Sequence, residues 1–525
     1  MTARQAVRQT ALMRNNVGLF LAKRAFRDPH LEAMIEPASG RRFTYREMNE
    51  RTNRIANALT ERGVGFGERV GVLLMNGIEF LETFFACGKI GAVCVPLNWR
   101  LVADELEFIV NDSGASTLVF GSEFAPVAAD LNGRGTTISR WLQVRNDPSA
   151  PLEGFALDYD AVTAAASPDE PAIAGEDEDL LFIMYTSGTT GLPKGVMHTH
   201  STVMWGLFTV NITADLQYKD RYLLALPFFH VGALNPALCI IHRGGTGIIM
   251  RAFDPKAVWE LVERERVTNM LAVPAMLNFM LQVGQGGHDY STLRWVMSGA
   301  APVPVTLIEA YTKIGIEIHQ VYGLTETCGP ACLISSDDAV VRAGSTGKSF
   351  FHTDVRVVRE DGSDCAPGEA GEVLVAGKHI MVGYWNRPEA TADTIRDGWL
   401  RTGDVATMDA DGFVTIKDRV KDMLISGGEN VYPAEIENVI LSLPGVGDVA
   451  VLGIPSPKWG ESPLAVVVRK DESLTESAVI DGCKGRLAPF KMPKAVRFVQ
   501  EIPRNPSGKI LKRVLREQYT DVVVD

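Results

Sequence analysis

The chain has 525 residues, 46% of them apolar and 22% charged, with a formal net charge of −12. That length buries several cores, and the composition is ordinary for a soluble globular protein. The acidic balance argues against nucleic acid, whose phosphates demand a basic face, and against general attraction to an anionic bilayer. In chain order, residues 17–26 predict a short amphipathic helix docked on the fold, with weak peripheral membrane contact left open. Short β-branched runs then predict strands over 69–75, 116–120, 180–186, 221–227, 245–250, 269–274 and 294–299. Helical patterns lie between them over 78–89, 255–264 and 303–314. This alternation predicts an α/β fold of layered, mostly parallel sheets, with ligands at the carboxyl ends of the strands. From about residue 350 the reading changes to short strands, 355–359, 372–376 and 413–417, with a turn at 409–412. Helices 433–443 and 476–487 and strands 449–453, 464–468 and 495–499 complete the chain. The expected organisation is a large domain over 1–418, with a small β unit at 350–418, a hinge at 419–421, and a small mobile α+β domain over 422–525.

Cys87, Cys94, Cys239, Cys328, Cys332, Cys365 and Cys483 are scattered through apolar runs, without CxxC or zinc-type spacing. Buried reduced thiols are expected. The segment around Arg4, Arg8 and Arg14 lacks a secretory leader pattern, which together with the thiols predicts a cytoplasmic protein. No apolar run is long enough to span a bilayer.

The strongest local signal is Tyr185-Thr-Ser-Gly-Thr-Thr-Gly-Leu-Pro-Lys194-Gly195, directly after the strand at 180–186. Glycines let the backbone approach a phosphate, exposed N–H and hydroxyl groups form an anion-binding concavity, and a lysine adds a positive charge. Pro193 and Gly195 stand where a Walker A loop needs glycine and a hydroxyl. The stretch instead resembles the phosphate loop of the adenylate-forming superfamily, which includes acyl-CoA synthetases, peptide-synthetase adenylation domains and beetle luciferases. Further matches follow in that family's order: Pro227-Phe-Phe-His230, Ser298-Gly-Ala-Ala-Pro302, Gln320-Val-Tyr-Gly-Leu-Thr-Glu-Thr327, Arg401-Thr-Gly-Asp404, Asp418-Arg-Val-Lys-Asp422, Ser426-Gly-Gly-Glu-Asn-Val-Tyr-Pro433 and Asn505-Pro-Ser-Gly-Lys509. One such match is weak; the series in register is specific. The run from Gly383-Tyr-Trp-Asn to Glu437 looks most like bacterial fatty-acyl-CoA ligases.

The resemblance implies ATP, Mg²⁺ and coenzyme A as reactants and a small carboxylic acid as substrate. It assigns the α-phosphate charge to Lys509, the phosphates to Thr186, Ser187, Gly188, Thr189, Thr190, Lys194 and Thr325, and the metal to Glu326 with Thr186. Gly299, Ala300, Ala301, Tyr322 and Gly323 are expected at the adenine. Asp404 is expected at the ribose diol, which a carboxylate accepts well, with Arg419 beside it. Lys421 takes the hinge position, and Gly427 and Gly428 the channel for the pantetheine arm. His230 closes over the acyl group in the family pattern, although a lone histidine beside aromatics is also an ordinary core residue. The acyl pocket is expected from Trp205, Gly206, Val231, Gly232, Ala233, Asn235, Gly323, Leu324, Cys328, Gly329 and Pro330, mostly small or apolar and without a charge for a substrate amino group. A medium- or long-chain fatty acid is favoured. An aryl or hydroxycinnamic acid (feruloyl- or 4-coumaroyl-type ligase), an acceptor other than CoA, and self-association stay open. A luciferase-like oxygenase and a non-catalytic nucleotide sensor are the remaining rivals, and no carrier domain is expected after Lys509.

Overall fold

The computed structural model describes residues 15–147, 149–186, 192–301, 303–335, 337–419, 421–426, 429–504, 510–520 and 522. The chain divides into two compact units, Met1–Val355 with Val375–Leu400, and Arg356–Leu374 with Arg401–Asp525. Most of the small β unit expected inside the large domain thus groups with the C-terminal piece.

The first unit is built on two large sheets. One has eight strands, in the order Gly383–Tyr384, Lys194–Thr199, Leu180–Thr186, Val93–Pro96, Arg69–Leu73, Thr117–Gly121, Arg140–Val144 and Leu157–Asp158. The other has nine and includes the parallel run Trp295–Ser298, Asn269–Leu271, Arg221–Leu224 and Thr246–Ile249. Side chains alternate across each strand. Tyr222 and Leu224 enter one core while Leu223 enters another. Helices Tyr45–Glu61, Ile78–Ile90, His200–Thr213 and Val231–Arg243 share one core with strands of both sheets, which makes them the filling between the sheets. That explains why Ile78–Ile90 is buried at every position. Its one ammonium, Lys89, is fully buried and satisfied by Asn49 Oδ1 at 2.7 Å, Asn53 Oδ1 at 2.5 Å and Glu170 Oε1 at 2.9 Å. Helices Pro255–Arg264, Pro274–Val283 and Val305–Lys313 cover the outer face of the nine-stranded sheet, and Ala103–Ser113 and Ala125–Gly133 that of the eight-stranded one. The expected N-terminal helix forms as Val17–Leu19 and Phe20–Arg27, docked through buried Val17, Leu19, Phe20 and Leu21.

The second unit carries an antiparallel arrangement in which Trp399–Met408 pairs with Val414–Arg419. It also carries a five-stranded sheet around the long hairpin of Val446–Ser456 and Gly460–Arg469. Helices Pro433–Leu441 and Glu476–Cys483 pack on one face of that sheet and Lys512–Gln518 on the other. All seven cysteines are free thiols, and six are buried. Among the described residues no helix is long and apolar enough to cross a membrane.

Candidate active site

The strand Leu180–Thr186 turns back on itself. It pairs antiparallel with Lys194–Thr199, Thr186 facing Lys194, so the glycine- and hydroxyl-rich segment joins the two strands of a hairpin. Ser187, Gly188, Thr189 and Thr190 lie outside the described residues. At the hairpin's root, the Thr186 hydroxyl donates to the Lys194 carbonyl at 3.5 Å. Tyr185 donates to Asp112 Oδ2 at 2.7 Å, and the Asp112 carbonyl accepts from Trp385 Nε1 at 2.9 Å. The short strand Gly383–Tyr384 pairs with Lys194–Thr199, Tyr384 opposite Val196. This brings the Tyr384 ring to 4.9 Å from Lys194 Nζ, and the same residue's hydroxyl donates to Glu326 Oε1 at 2.8 Å. Tyr384 therefore bridges the phosphate-loop lysine and the expected metal carboxylate. In the sequence Tyr384 is one residue of the Gly383-Tyr-Trp-Asn run, and nothing there signals this role.

Glu326 sits in the 3₁₀ turn Thr325–Thr327. The turn ends at Cys328, a left-handed residue with φ 55°, followed by Gly329 with φ 111°. Its three carbonyls are each taken from elsewhere in the fold. Thr325 O meets His198 Nε2 at 2.8 Å, Glu326 O accepts from Met381 N at 2.8 Å, and Thr327 O meets His379 Nδ1 at 2.9 Å. Burial pushes both imidazoles down to about 4, so they are neutral at physiological pH. Sequence reasoning missed both histidines, which lie in no motif quoted for them.

Of the expected pocket residues, Gly206, Asn235, Gly323, Cys328 and Gly329 converge at the end of the same turn. A Cβ placed on Gly323 would lie 1.5 Å from the Gly329 carbonyl oxygen, so only glycine fits there. A Cβ on Gly206 would meet Cys328 Sγ at 3.3 Å. Asn235 donates through Nδ2 to the Cys328 carbonyl at 2.9 Å and accepts from Cys239 Sγ at 3.2 Å. Burial pushes the Cys328 thiol up to about 12. Trp205 is half-buried, its ring 5.4 Å from that of His352 and 4.8 Å from Lys378 Nζ. Val231 and Gly232 open the helix Val231–Arg243, and space is free beside Gly232, where an added Cβ meets nothing within 4 Å. His230 caps that helix without a side-chain cap bond. Its Nε2 is buried with no hydrogen-bond partner among the described residues, and burial, with Arg100 nearby, pushes its imidazole down to about 4.

At the expected adenine site, Gly299 approaches the neighbouring strand so closely that a Cβ would lie 2.3 Å from the Val321 carbonyl oxygen. Ala300 takes φ 65°, a left-handed conformation that costs a non-glycine residue about 1 kcal/mol or more. Ala300 and Ala301 are exposed, and Tyr322 and Leu324 half-buried. Ser298 Oγ and Gln320 Nε2, on residues paired in register just before this point, are buried with no partner among the described residues. In the second unit, Asp404 and Arg419 face each other in register. The buried carboxylate meets Arg419 Nε at 2.6 Å. Lys421 is exposed and its carbonyl accepts from Arg516. Gly427, Gly428 and Lys509 lie outside the described residues. The flanks of the Lys509 segment are tied: Arg504 bridges to Ile510, Leu511 N donates to the Pro503 carbonyl at 2.8 Å, Arg504 pairs with Asp448 at 2.7 Å, and Lys512 pairs with Glu437 at 2.8 Å.

Among the described residues, no three His, Cys, Asp or Glu side chains form a metal cage. One carboxylate, Glu326, and one hydroxyl, Thr186, fit Mg²⁺, which takes few protein oxygens and completes its shell with waters and substrate phosphates.

The AMP-binding enzyme family matches residues 21–385, and the AMP-binding enzyme C-terminal domain matches residues 435–509. A long-chain-fatty-acid–CoA ligase of Mycobacterium tuberculosis is 46% identical over 97% of this chain and 99% of its own length. A feruloyl-CoA synthase of an Amycolatopsis species is 41% identical over 97% of this chain and 100% of its own. The o-succinylbenzoate–CoA synthetase of Bacillus subtilis, solved in complex with ATP and a magnesium ion, is similar with a TM-score of 0.85 at 31% identity, covering 95% of this chain and 99% of that one.

Proposed function

The chain belongs to the AMP-binding enzyme family, and from that premise we propose that, as an acyl-CoA ligase working through an acyl-adenylate, it takes a medium- or long-chain fatty acid. In the first half-reaction a carboxylate oxygen attacks the α-phosphorus of ATP and pyrophosphate leaves. In the second, the CoA sulfur attacks the acyl carbonyl and AMP leaves. Bound Mg²⁺ offsets phosphate charge. Lys194 and the hydroxyls of the loop after Thr186 hold the phosphates, and Asp404 with Arg419 holds the ribose. Lys509 stabilises the charge that builds where two anions meet. His230, neutral and with an orphan nitrogen, accepts or donates one hydrogen bond without adding charge. Gly427 and Gly428 leave a path for the pantetheine arm, and the chain swivels at 419–421 between half-reactions. The buried free thiols fit a reducing, cytoplasmic setting.

The observation that carries the choice of acid is the state of Asn235. Its amide is engaged on both sides, by the Cys328 carbonyl and the Cys239 thiol. This polar residue of the expected pocket is thus committed to the fold, and Gly206, Gly329 and Cys328 pack against it. Such a lining suits an unaminated apolar acid. The test is acid-dependent pyrophosphate release with ATP and Mg²⁺ across fatty and aryl acids, with and without CoA. Release that peaks with fatty acids and yields acyl-CoA supports the reading. A peak with hydroxycinnamic acids transfers the assignment to the aryl class of the feruloyl relative. Release without CoA acylation removes CoA as acceptor.

A further inference from the structure

The turn Thr325–Thr327 is a single 3₁₀ turn, closed locally by Thr327 N to the Leu324 carbonyl at 3.2 Å and by Cys328 N to the Thr325 carbonyl at 3.0 Å, with no further turn of helix to brace it. Yet Glu326 must point in one direction to meet a metal–nucleotide complex. The donors that reach its flanking carbonyls come from two distant segments. His198 lies on the strand Lys194–Thr199, four residues beyond Lys194. His379 lies just before the strand Gly383–Tyr384 that bears Tyr384. Both rings are fully buried.

The tautomers follow from the partners. A carbonyl only accepts, so the proton of His198 sits on Nε2 and that of His379 on Nδ1. Each ring's other nitrogen faces a threonine hydroxyl, Thr202 Oγ1 at 3.1 Å for His198 and Thr353 Oγ1 at 2.7 Å for His379. An ordinary core histidine bonds whatever polar group lies nearest. Here two histidines use opposite ring nitrogens to reach the carbonyls on either side of one glutamate, while Tyr384 holds that glutamate's Oε1 at 2.8 Å.

We propose that His198 and His379 are positioning residues, a pair of backbone clamps that fix the turn Thr325–Thr327 and so aim the Glu326 carboxylate, steadied by Tyr384, at the magnesium complex of ATP. The inference rests on the ligase reading above. It adds that metal–nucleotide affinity is set by hydrogen bonds to backbone rather than by further ligands. Groups that orient a metal ligand typically contribute 10- to 100-fold in metal affinity.

The test exploits the opposite ring nitrogens. A glutamine amide nitrogen falls near the Nε2 position and an asparagine amide nitrogen near Nδ1. His198→Gln and His379→Asn therefore keep a donor in place, whereas His198→Leu and His379→Leu remove it. Binding is read by titrating Mn²⁺·ATP in an electron paramagnetic resonance assay, beside metal-free ATP and the thiolysis of supplied acyl-AMP. The clamp requires the leucine variants to lose Mn²⁺·ATP affinity by about 10- to 100-fold, with metal-free ATP binding and thiolysis close to wild type. The amide variants should recover most of the loss. Tyr384→Phe, which deletes one hydroxyl and no packing, keeps the test alive if a leucine variant does not fold; it should weaken Mn²⁺·ATP several-fold. Wild-type affinity in the leucine variants or in Tyr384→Phe, or amide variants no better than leucine, overturns the clamp. A wild-type enzyme that binds no Mn²⁺·ATP overturns the underlying nucleotide reading and the clamp with it.

Discussion

Lys512→Met tests whether the anchored flanks of the Lys509 segment matter. Lys512 and Glu437 lie 2.8 Å apart with side chains 10% and 18% exposed. Burial pushes the Glu437 carboxyl up, an effect the lysine only partly offsets, while the carboxylates of Glu437 and Asp418 raise the Lys512 ammonium against the effect of its own burial. Removing the lysine orphans a buried carboxylate, which costs about 3 kcal/mol, the lower end of the range for a broken buried pair because Glu437 keeps its bond to Val451 N. At roughly 2–4 °C per kcal/mol, the unfolding midpoint of the second unit should fall by about 6–12 °C at pH 7. The sign of the pH dependence follows from the carboxyl. Its folded pKa lies above its unfolded one, so the folded state holds the extra proton and gains stability as pH falls between the two. Protonation of the raised carboxyl therefore returns stability to the variant, and its deficit against wild type should shrink as pH falls from 7 to 5. Adding Glu437→Gln should restore most of the stability at pH 7. Adenylation should fall further than thiolysis, because Lys512 follows the Arg504–Ile510 bridge at the root of the segment bearing Lys509. Scanning calorimetry across pH and the two partial reactions check this. A penalty equal at pH 5 and pH 7, or no recovery with Glu437→Gln, refutes the reasoning.

Three other outcomes are expected. Lys509→Ala should slow adenylation by about 10²–10³-fold and leave thioester formation from supplied acyl-AMP largely intact, while Gly428→Leu does the reverse; equal loss of both steps in either variant refutes the division of labour. Gly206→Val pushes a side chain toward Cys328 Sγ, which a Cβ already meets at 3.3 Å. At about 1–3 kcal/mol for overpacking, kcat/KM should fall for bulky acids while KM for ATP holds, a split that an acid panel reads directly. His200, His230 and His242 are each pushed by burial from 6.5 down to about 4. They stay neutral when folded and charge on unfolding, so the stability they contribute is present above pH 6.5 and lost as pH falls toward 4. Glu82, its carboxyl pushed by burial up to about 7, works the other way. Calorimetric proton uptake on unfolding near pH 5.5 should be positive, and a midpoint flat from pH 6.5 to 5 would count against the assignment.

The central strands and helices were legible because apolar runs of fixed period must be buried. The helix predicted over 255–264 forms as Pro255–Arg264, with Asp254 capping it and proline at its start. The strands predicted over 449–453 and 464–468 form as Val446–Ser456 and Gly460–Arg469. Backbone pairing carries that hairpin past the apolar stretch that betrayed it. Lys194–Thr199 escaped notice, since a strand that follows a glycine- and proline-rich loop has no turn signal of its own. In the site, residues adjacent in sequence were readable as motifs. The link between Lys194, Tyr384 and Glu326 was not, because it depends on Gly383 pairing with Met197 across the sheet. His198 and His379 were invisible for the same reason, each a lone histidine whose meaning lies in the carbonyl it reaches. Lys509 and the two channel glycines lie outside the described residues and rest on resemblance alone.

The buried thiol of Cys328 has a chemical corollary. An activated acyl group beside a cysteine invites self-acylation, a side reaction that would inactivate the enzyme one turnover at a time. With its thiol pushed up to about 12, Cys328 is ionised at neutral pH to only about one part in 10⁵. A solvated thiol near 8.5 is ionised to a few per cent, and even after the greater intrinsic nucleophilicity of the more basic sulfur is counted, the solvated thiol keeps about a hundredfold advantage. In the proposed acyl pocket, burial of Cys328 therefore does more than pack the fold. It keeps the protein's own sulfur protonated and leaves the acyl group to the thiol that arrives from outside.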